Sequence, residues 1–319
     1  MHQPLIILSP PRSFSSVVST IIGEHPQLYT FPELLLFSGE ILEEVMDQEM
    51  WGNEQKSGPP GLLRTLAQLH EGVQTTETIF RAINWLHERK HWSTKKLFDY
   101  LLDLVSPCIG VEKSPLTISK SIYMERVYQM YPQAFFLHLT RHPLSTRKSL
   151  HELRNNYQWR NSGNLSLWKY SIDYLLVWLL RHRNIINFTD SLPVGQTMRV
   201  RGEDLLSYPD IYLPQIAQWL GLRTDTQAIE AMKHPENSPY ACVPPAPIYG
   251  GNDPKFMRNP QLRFGKVKEP SLKSFLQTET WEWVTTDIRN LFQENHFNLA
   301  STKELTTEIT KLANLMGYQ

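Results

Sequence analysis

The chain has 319 residues, of which 41% are hydrophobic and 20% charged, and this composition suits one globular domain, 1–319, with a core of ordinary size. Its 32 Lys and Arg balance its 32 Asp and Glu, which argues against a protein built to bind nucleic acid or an anionic membrane. The two cysteines, Cys108 and Cys242, are too few for a disulfide framework and lack the spacing of a zinc site.

Along the chain, short apolar segments alternate with segments of helical periodicity, which predicts an α/β fold with a parallel sheet and helices on both faces. The predicted strands are 5–8, 108–111, 135–140 and 197–200. Helices are predicted after the first strand, across a helix-rich stretch up to 105, from 143, over 165–188 and 211–220, and at the end of the chain. No apolar run is long enough for a signal peptide or a membrane span, so we expect a cytoplasmic protein.

The first candidate anion site follows strand 5–8, where the segment 11–16 leads into an amphipathic helix. A helix N-terminus offers unpaired backbone N–H groups and the positive end of the helix dipole. The Arg12 guanidinium can bind two oxygens of a phosphate or sulfate, and Ser13, Ser15 and Ser16 can donate hydroxyl hydrogen bonds. An ordinary helix cap by Ser13 or Ser15 is an equally good interpretation of these residues.

The second candidate anion site lies at the end of strand 135–140. Arg141 follows this strand directly, and Ser149 comes eight residues later in the predicted helix. The carboxyl ends of strands in open α/β sheets border the crevice in which ligands bind, so both side chains can converge on one anion. A surface arginine and a solvated serine are the alternative.

Together, the two segments resemble the sulfotransferases that use 3′-phosphoadenosine 5′-phosphosulfate (PAPS). The similarity is to the branch of tyrosylprotein sulfotransferases and bacterial polyketide-associated and stand-alone enzymes. In that family a Pro-(Arg/Lys)-Ser-Gly-(Ser/Thr)-(Ser/Thr) loop binds the 5′-phosphosulfate, and an arginine and a serine eight positions later bind the 3′-phosphate. The matching residues here are Pro11-Arg12-Ser13-Phe14-Ser15-Ser16, Arg141 and Ser149. The resemblance implies a P-loop-NTPase-like sheet flanked by helices, with PAPS as co-substrate, PAP as product and no metal.

The resemblance also implies catalytic residues. Phe31-Pro32-Glu33 matches a segment whose glutamate is the catalytic base in that branch, and Glu112-Lys113-Ser114-Pro115 matches a strand end whose lysine approaches the sulfonate. The implied reaction is an in-line transfer to an acceptor hydroxyl. In it, Glu33 takes the acceptor's proton, while Arg12 and Lys113 stabilise charge on the bridging oxygen.

A histidine serves as the base in the cytosolic arylsulfotransferase branch, so His70, His87 and His91 are alternatives to Glu33. Glu33 itself also fits a simpler role in the first turn of a helix.

Two residues depart from the family pattern. Phe14 replaces the loop glycine, and a phenylalanine is costly if that position needs a positive φ. Gly202, in the segment Val200-Arg201-Gly202-Glu203-Asp204-Leu205, replaces an aromatic residue that can flank the adenine.

Two further regions are assigned by the resemblance. Segment 38–105 is expected to be a helical insertion on the acceptor side. Segment 235–270, which is Pro-rich and basic, is expected to close over the nucleotide, with Arg258 as a second 3′-phosphate ligand and Lys255 next.

The acceptor is expected to be a small apolar hydroxyl compound, such as a lipid, a polyketide-like chain or a phenol. Six tryptophans could line its pocket, although aromatic residues at helical spacing also fit an ordinary core; they are Trp51, Trp85, Trp92, Trp159, Trp168 and Trp178.

Two other functions stay open on the sequence. A P-loop kinase or related nucleotide transferase shares the strand–loop–helix order, but it requires Mg²⁺ and a G-x-x-x-x-G-K-[ST] loop, which segment 11–16 lacks. A protein that binds PAP or PAPS without catalysis would need the same anion sites and no base.

Overall fold

A computed structural model describes residues 3–47, 57–155, 173–246, 248–263, 265–278 and 302–318. Its centre is a parallel sheet whose strands lie in the order β2-β3-β1-β4-β5. The strands are β1 (Leu5–Leu8), β2 (Leu28–Thr30), β3 (Ile109–Glu112), β4 (Phe135–Thr140) and β5 (Thr197–Arg201). The predicted α/β class with a parallel sheet is therefore confirmed.

The strand order places the loops after β1 and β4 side by side. Strand β1 pairs with β3 on one edge and with β4 on the other, with Leu5 opposite Val111 and Phe135. The chain thus crosses from one side of β1 to the other, and ligands of open α/β sheets bind at such a switch point. The loops after β1 and β4 carry Arg12 and Arg141.

Helices cover both faces of the sheet. They are α1 (Ser15–Gly23), α2 (Leu42–Met46), α3 (Pro60–Glu71), α4 (Thr76–His87), α5 (Thr94–Leu104), α6 (Ser121–Met130), α7 (Pro143–Asn155), α8 (Tyr174–Thr189), α9 (Gly202–Ser207), α10 (Pro209–Trp219), α11 (Thr226–Ala231), α12 (Pro254–Arg258), α13 (Leu272–Thr278) and α14 (Thr302–Leu315). Short 3₁₀ turns lie at Leu36–Ser38, Pro115–Ile118 and Pro235–Asn237. The stretch between β2 and β3 is helical in its described part, as predicted.

Apolar side chains from both faces of the sheet form the core. Ile6, Leu8 and Phe136 pack with helices α3, α4 and α5, whereas Leu5 and Leu137 pack with α1 and α10 on the other face. A strand buried on both faces needs a continuous apolar run, and the run Leu5–Leu8 supplies one. Each fully buried leucine or isoleucine stabilises the fold by about 1.5–3 kcal/mol.

Strand β2 was missed by the sequence interpretation. It has only three residues and pairs with β3 alone at one edge of the sheet, so it lacks the apolar run of a central strand. Helix α1 ends at Gly23. Within the described parts of the chain, no helix combines the length and the apolar character that crossing a bilayer requires.

Candidate active site

The loop between β1 and α1 has an unusual backbone. Arg12 and Phe14 have φ values of 67° and 64°, in the left-handed region that non-glycine residues rarely adopt. Such residues cost on the order of 1 kcal/mol or more each and are concentrated at binding and active sites. Phe14 is also the N-cap of α1, and it makes no side-chain cap hydrogen bond. The alternative of an ordinary serine cap is therefore wrong, and Ser13 is buried with its Oγ unpaired among the described residues.

Arg12 connects three segments of the chain. Its Nε donates to Ser149 Oγ of α7 over 3.0 Å, and its Nη1 pairs with the Asp253 carboxylate. Asp253 also caps α12, because its Oδ1 accepts from the backbone N–H groups of Lys255 and Phe256. Burial lowers the pKa of Arg12 below its ordinary value, and nearby carboxylates act in the opposite direction. An anion bound by Arg12 would have to share it with Asp253 or displace that carboxylate.

Arg141 lies between the two loops. Its Nη1 donates to the Arg12 carbonyl oxygen over 2.6 Å, and its guanidinium carbon lies 4.1 Å from the centroid of the Phe14 ring. Its backbone carbonyl accepts from Trp178 Nε1 over 2.9 Å. Among the described residues, Arg141 has no carboxylate in an ion pair and its Nε has no acceptor. This guanidinium therefore retains the capacity to bind an anion.

Lys113, at the end of β3, is fully buried and has three oxygen acceptors. Its Nζ donates to Glu33 Oε1 over 2.9 Å, to Asn252 Oδ1 over 3.1 Å and to Ser16 Oγ over 3.2 Å. Ser16 Oγ in turn accepts from the Asp253 N–H over 2.9 Å. The first turn of α1, the end of β3 and the segment 250–253 thus meet at one ammonium group.

Glu33 is held by its backbone as well as by Lys113. Its N–H donates to the Gly251 carbonyl oxygen over 2.8 Å, and its side chain is 27% exposed. A Cβ on Gly61 would lie 2.1 Å from the Glu33 carbonyl oxygen, so a glycine is required for α3 to approach this segment. Glu33 is therefore both fixed in place and open to a substrate.

A second carboxyl group lies beneath this site. Glu112 is fully buried and bonded to Ser114 Oγ, which accepts from the Leu35 N–H over 2.9 Å. Burial raises the pKa of Glu112 to about 7. Burying a neutral, protonated carboxyl group costs less free energy than burying a carboxylate. Through Ser114, the Glu112 side chain connects β3 to Leu35, two residues after Glu33.

Several predicted site residues do not contact Arg12, Arg141, Lys113 or Glu33. Arg258 is exposed and makes no hydrogen bond or ion pair to the described residues, and Lys255 pairs with Glu152 over 3.0 Å at the surface. Their roles stay predictions. His87 and His91 are exposed, and His70 donates to or accepts from Tyr100 Oη over 2.8 Å in α5.

The tryptophans that were predicted to line the acceptor pocket lie in different environments. Trp178 is fully buried in the core, whereas Trp85 and Trp92 are half-buried and pack edge to face, with centroids 5.6 Å apart. Trp51, Trp159 and Trp168 lie outside the described residues.

Asn252 and Asp253 were not singled out from the sequence, although the loop that contains them was. Their signal is the turn sequence Gly250-Gly251-Asn252-Asp253-Pro254, in which both glycines have positive φ. A Cβ on Gly251 would lie 3.0 Å from the Gly61 Cα, so the loop returns to the site through a close backbone contact.

A family model described as "Sulfotransferase family" matches residues 4–226, which is more than half of the chain. The chain belongs to the sulfotransferase family. No curated protein sequence matches it. In the described part of this sulfotransferase, no group of three or more His, Cys, Asp or Glu side chains converges as metal ligands would.

Two solved sulfotransferase structures share its fold. A sulfotransferase domain from the curacin biosynthetic pathway aligns with 100% of this chain and 99% of its own, at a TM-score of 0.67 and 19% identity. The sulfotransferase domain of the Synechococcus PCC 7002 olefin synthase aligns with 100% of this chain and 97% of its own, at a TM-score of 0.62 and 22% identity. At these identities the likeness concerns the fold alone.

Proposed function

We propose that this sulfotransferase moves the sulfuryl group of PAPS to a hydroxyl of a small apolar acceptor. The observation that carries the proposal is the direct contact between the two predicted anion sites. Arg12 reaches Ser149 over 3.0 Å, and Arg141 reaches the Arg12 carbonyl oxygen over 2.6 Å. One continuous surface therefore presents two guanidinium groups, as a ligand with separate anionic ends requires.

The residues at this surface fit PAPS. The buried Ser13 Oγ and the Arg141 Nε lack partners among the described residues, and both can donate to phosphate oxygens. Arg12, Ser13, Phe14, Ser15 and Ser16 would hold the 5′-phosphosulfate through side chains and backbone N–H groups. Arg141 and Ser149 would hold the 3′-phosphate, with Arg258 and Lys255 as further ligands. When bound, PAPS would supply the sulfuryl group, and PAP would leave.

Glu33, Lys113 and Arg12 would perform the catalytic work. Glu33 is close to the surface and would accept the acceptor's proton, an effect of about 10²–10⁴-fold on the rate. Lys113 is anchored by Ser16 at the start of α1 and would stabilise negative charge that develops on the leaving side, together with Arg12. The ammonium is fully buried, and in such surroundings charge stabilisation is stronger than in water.

The acceptor would bind beside the helical insertion 38–105. Helix α3 reaches the Glu33 backbone through Gly61, and the helices behind it contribute apolar side chains to the core. The acceptor that we propose is a small, apolar, lipid- or polyketide-like alcohol. Segment 235–270 would close over the nucleotide within the single domain 1–319, and a cytoplasmic location stays a prediction.

The donor site is tested first by thermal unfolding with PAP, with ATP and Mg²⁺, and without ligand. A ligand at 100 times its dissociation constant adds about 2.7 kcal/mol to the free energy of unfolding, which raises the midpoint by a few degrees. We expect a metal-independent shift with PAP that is lost in Arg141→Ala and kept in Arg81→Ala, whose side chain lies on α4. A shift with ATP and Mg²⁺ alone would instead support a kinase-like transferase.

Catalysis is tested by Glu33→Gln, with the exposed Glu77→Gln as the matched control. The assay is sulfuryl transfer from labelled PAPS to a phenol, a long-chain alcohol and a β-hydroxy fatty acid. We expect Glu33→Gln to lower turnover by at least about 10²-fold with PAP affinity nearly unchanged. Unchanged turnover would remove Glu33 as the base, and PAP binding without transfer to any acceptor would support a non-catalytic protein.

A further inference from the structure

Phe14 and Gly202 fit each other closely at the edge of the donor site. A Cβ on Gly202 would lie 2.6 Å from Phe14 Cδ2, which is closer than side-chain atoms approach, and 3.2 Å from the Thr140 carbonyl oxygen. The Phe14 ring is only partly buried and packs against the core cluster that contains Leu139. A side chain at position 202 and the ring at position 14 thus exclude one another.

The same ring also supports Arg141. The guanidinium carbon of Arg141 lies 4.1 Å from the ring centroid, which is a favourable cation–π distance. The Arg141 Nη1 also donates to the Arg12 carbonyl oxygen, and no carboxylate of the described residues forms an ion pair with this guanidinium. A flexible arginine without a carboxylate partner needs such a surface to keep one orientation.

The backbone conformation of Phe14 is unfavourable for a phenylalanine. Its φ of 64° is a conformation that glycine adopts at no steric cost and phenylalanine does not. The backbone at position 14 is therefore strained, and a glycine would remove that strain. The cation–π contact with Arg141 is a favourable interaction that a glycine could not make.

We propose that Phe14 is a positioning residue that orients Arg141 toward the 3′-phosphate, and that Gly202 provides the space for its ring. The inference rests on the proposed function, because it assigns selectivity for a 3′-phosphorylated nucleotide to this pair. One part of the ring packs against the core and Arg141 lies over its face. The role that we assign to Phe14 is therefore to hold the Arg141 guanidinium in place.

The test is the ratio of the dissociation constants for 5′-AMP and PAP, which differ by the 3′-phosphate, measured by calorimetry. Phe14→Leu keeps an apolar side chain and removes the aromatic face, and we expect the ratio to fall by about tenfold, as for loss of a cation–π contact in a partly desolvated site. Phe14→Tyr keeps the ring and should preserve the ratio. Both ligands carry the 5′-phosphate, so a change in its contacts at position 14 affects both dissociation constants alike and cancels in the ratio.

Gly202→Ala tests the second half of the proposal. Its Cβ should displace the ring and lower the ratio in a wild-type background. In a Phe14→Gly background the same substitution should lower the ratio much less, because the 2.6 Å contact with the ring is gone and only the 3.2 Å approach to the Thr140 carbonyl oxygen remains. Additive effects of the two substitutions would overturn the proposed fit.

The outcomes separate this inference from the proposed function. If the wild-type protein does not prefer PAP, or Arg141→Ala leaves the preference intact, the proposed donor site fails. If Arg141→Ala abolishes the preference but Phe14→Leu leaves it unchanged, only the role of Phe14 fails. Should Phe14→Leu not fold, the ratios for Gly202→Ala and Phe14→Tyr decide the question.

Discussion

Acid should weaken this fold through two buried histidines, His138 of β4 and His182 of α8. Arg199 Nε donates to His138 Nδ1 over 3.2 Å, and the Nε2 of His138 lies 2.8 Å from the Nδ1 of His182. Arginine can only donate, so His138 carries its proton on Nε2 and donates it to His182. Each ring is neutral in this arrangement, and a further proton would break one of the two hydrogen bonds.

The magnitude follows from the pKa of His182, which burial lowers to about 3 from an ordinary value near 6.5. Burial also holds the pKa of His138 well below its usual range. The unfolded chain binds these protons below about pH 6.5 and the folded chain does not, so stability is lost as the pH falls. Between pH 7.5 and 5.5 one such histidine lowers the free energy of unfolding by about 1.4 kcal/mol.

The assay is urea denaturation of the wild type and His182→Asn at several pH values from 7.5 to 5.5. Asparagine keeps an acceptor for the His138 Nε2–H group and does not titrate. The stability that the variant loses through its smaller side chain is therefore the same at every pH in this range. We expect the stability difference between the two proteins to shrink by about 1.4 kcal/mol toward pH 5.5. Parallel curves for the wild type and His182→Asn would refute the neutral, buried pair.

Three further predictions concern the site. Lys113→Met should lower sulfuryl transfer by at least about 10²-fold; retained activity in a folded variant would exclude Lys113 from charge stabilisation. Asp253→Asn keeps an oxygen that can cap α12 and removes the negative charge that is paired with Arg12. Calorimetry should therefore show PAP bound several-fold more tightly, whereas weaker binding would mean that the carboxylate helps to build the site. Glu112 has a pKa raised to about 7, so its contribution to stability is full below about pH 4.5 and is lost as the pH rises toward 7. Urea denaturation should therefore show Glu112→Gln gaining on the wild type by about 1.4 kcal/mol per pH unit in that window, whereas a constant difference would contradict the raised pKa.

The sequence was sufficient for features that depend on neighbouring residues. The apolar run Leu5–Leu8 predicts a strand buried on both faces, and the segment 11–16 predicts an anion-binding loop before a helix. Arg141 and Ser149 were predicted in the same way, because a strand end and a helix face are local patterns, and their role as anion ligands stays a prediction. The sequence also predicted that Phe14 would be strained if its position needed a positive φ, and the structure gives that residue a φ of 64°.

The tertiary structure decided which of these segments meet. Lys113 reaches Glu33 and Asn252 across 80 and 139 positions of sequence, and Arg12 reaches Asp253 across 241. Such contacts depend on the strand order and on the path of returning loops, and neither is encoded in local periodicity. The fit of Phe14 to Gly202 has the same origin: two separate departures from a family pattern prove to be one contact only when β1 and β5 are placed in the same sheet.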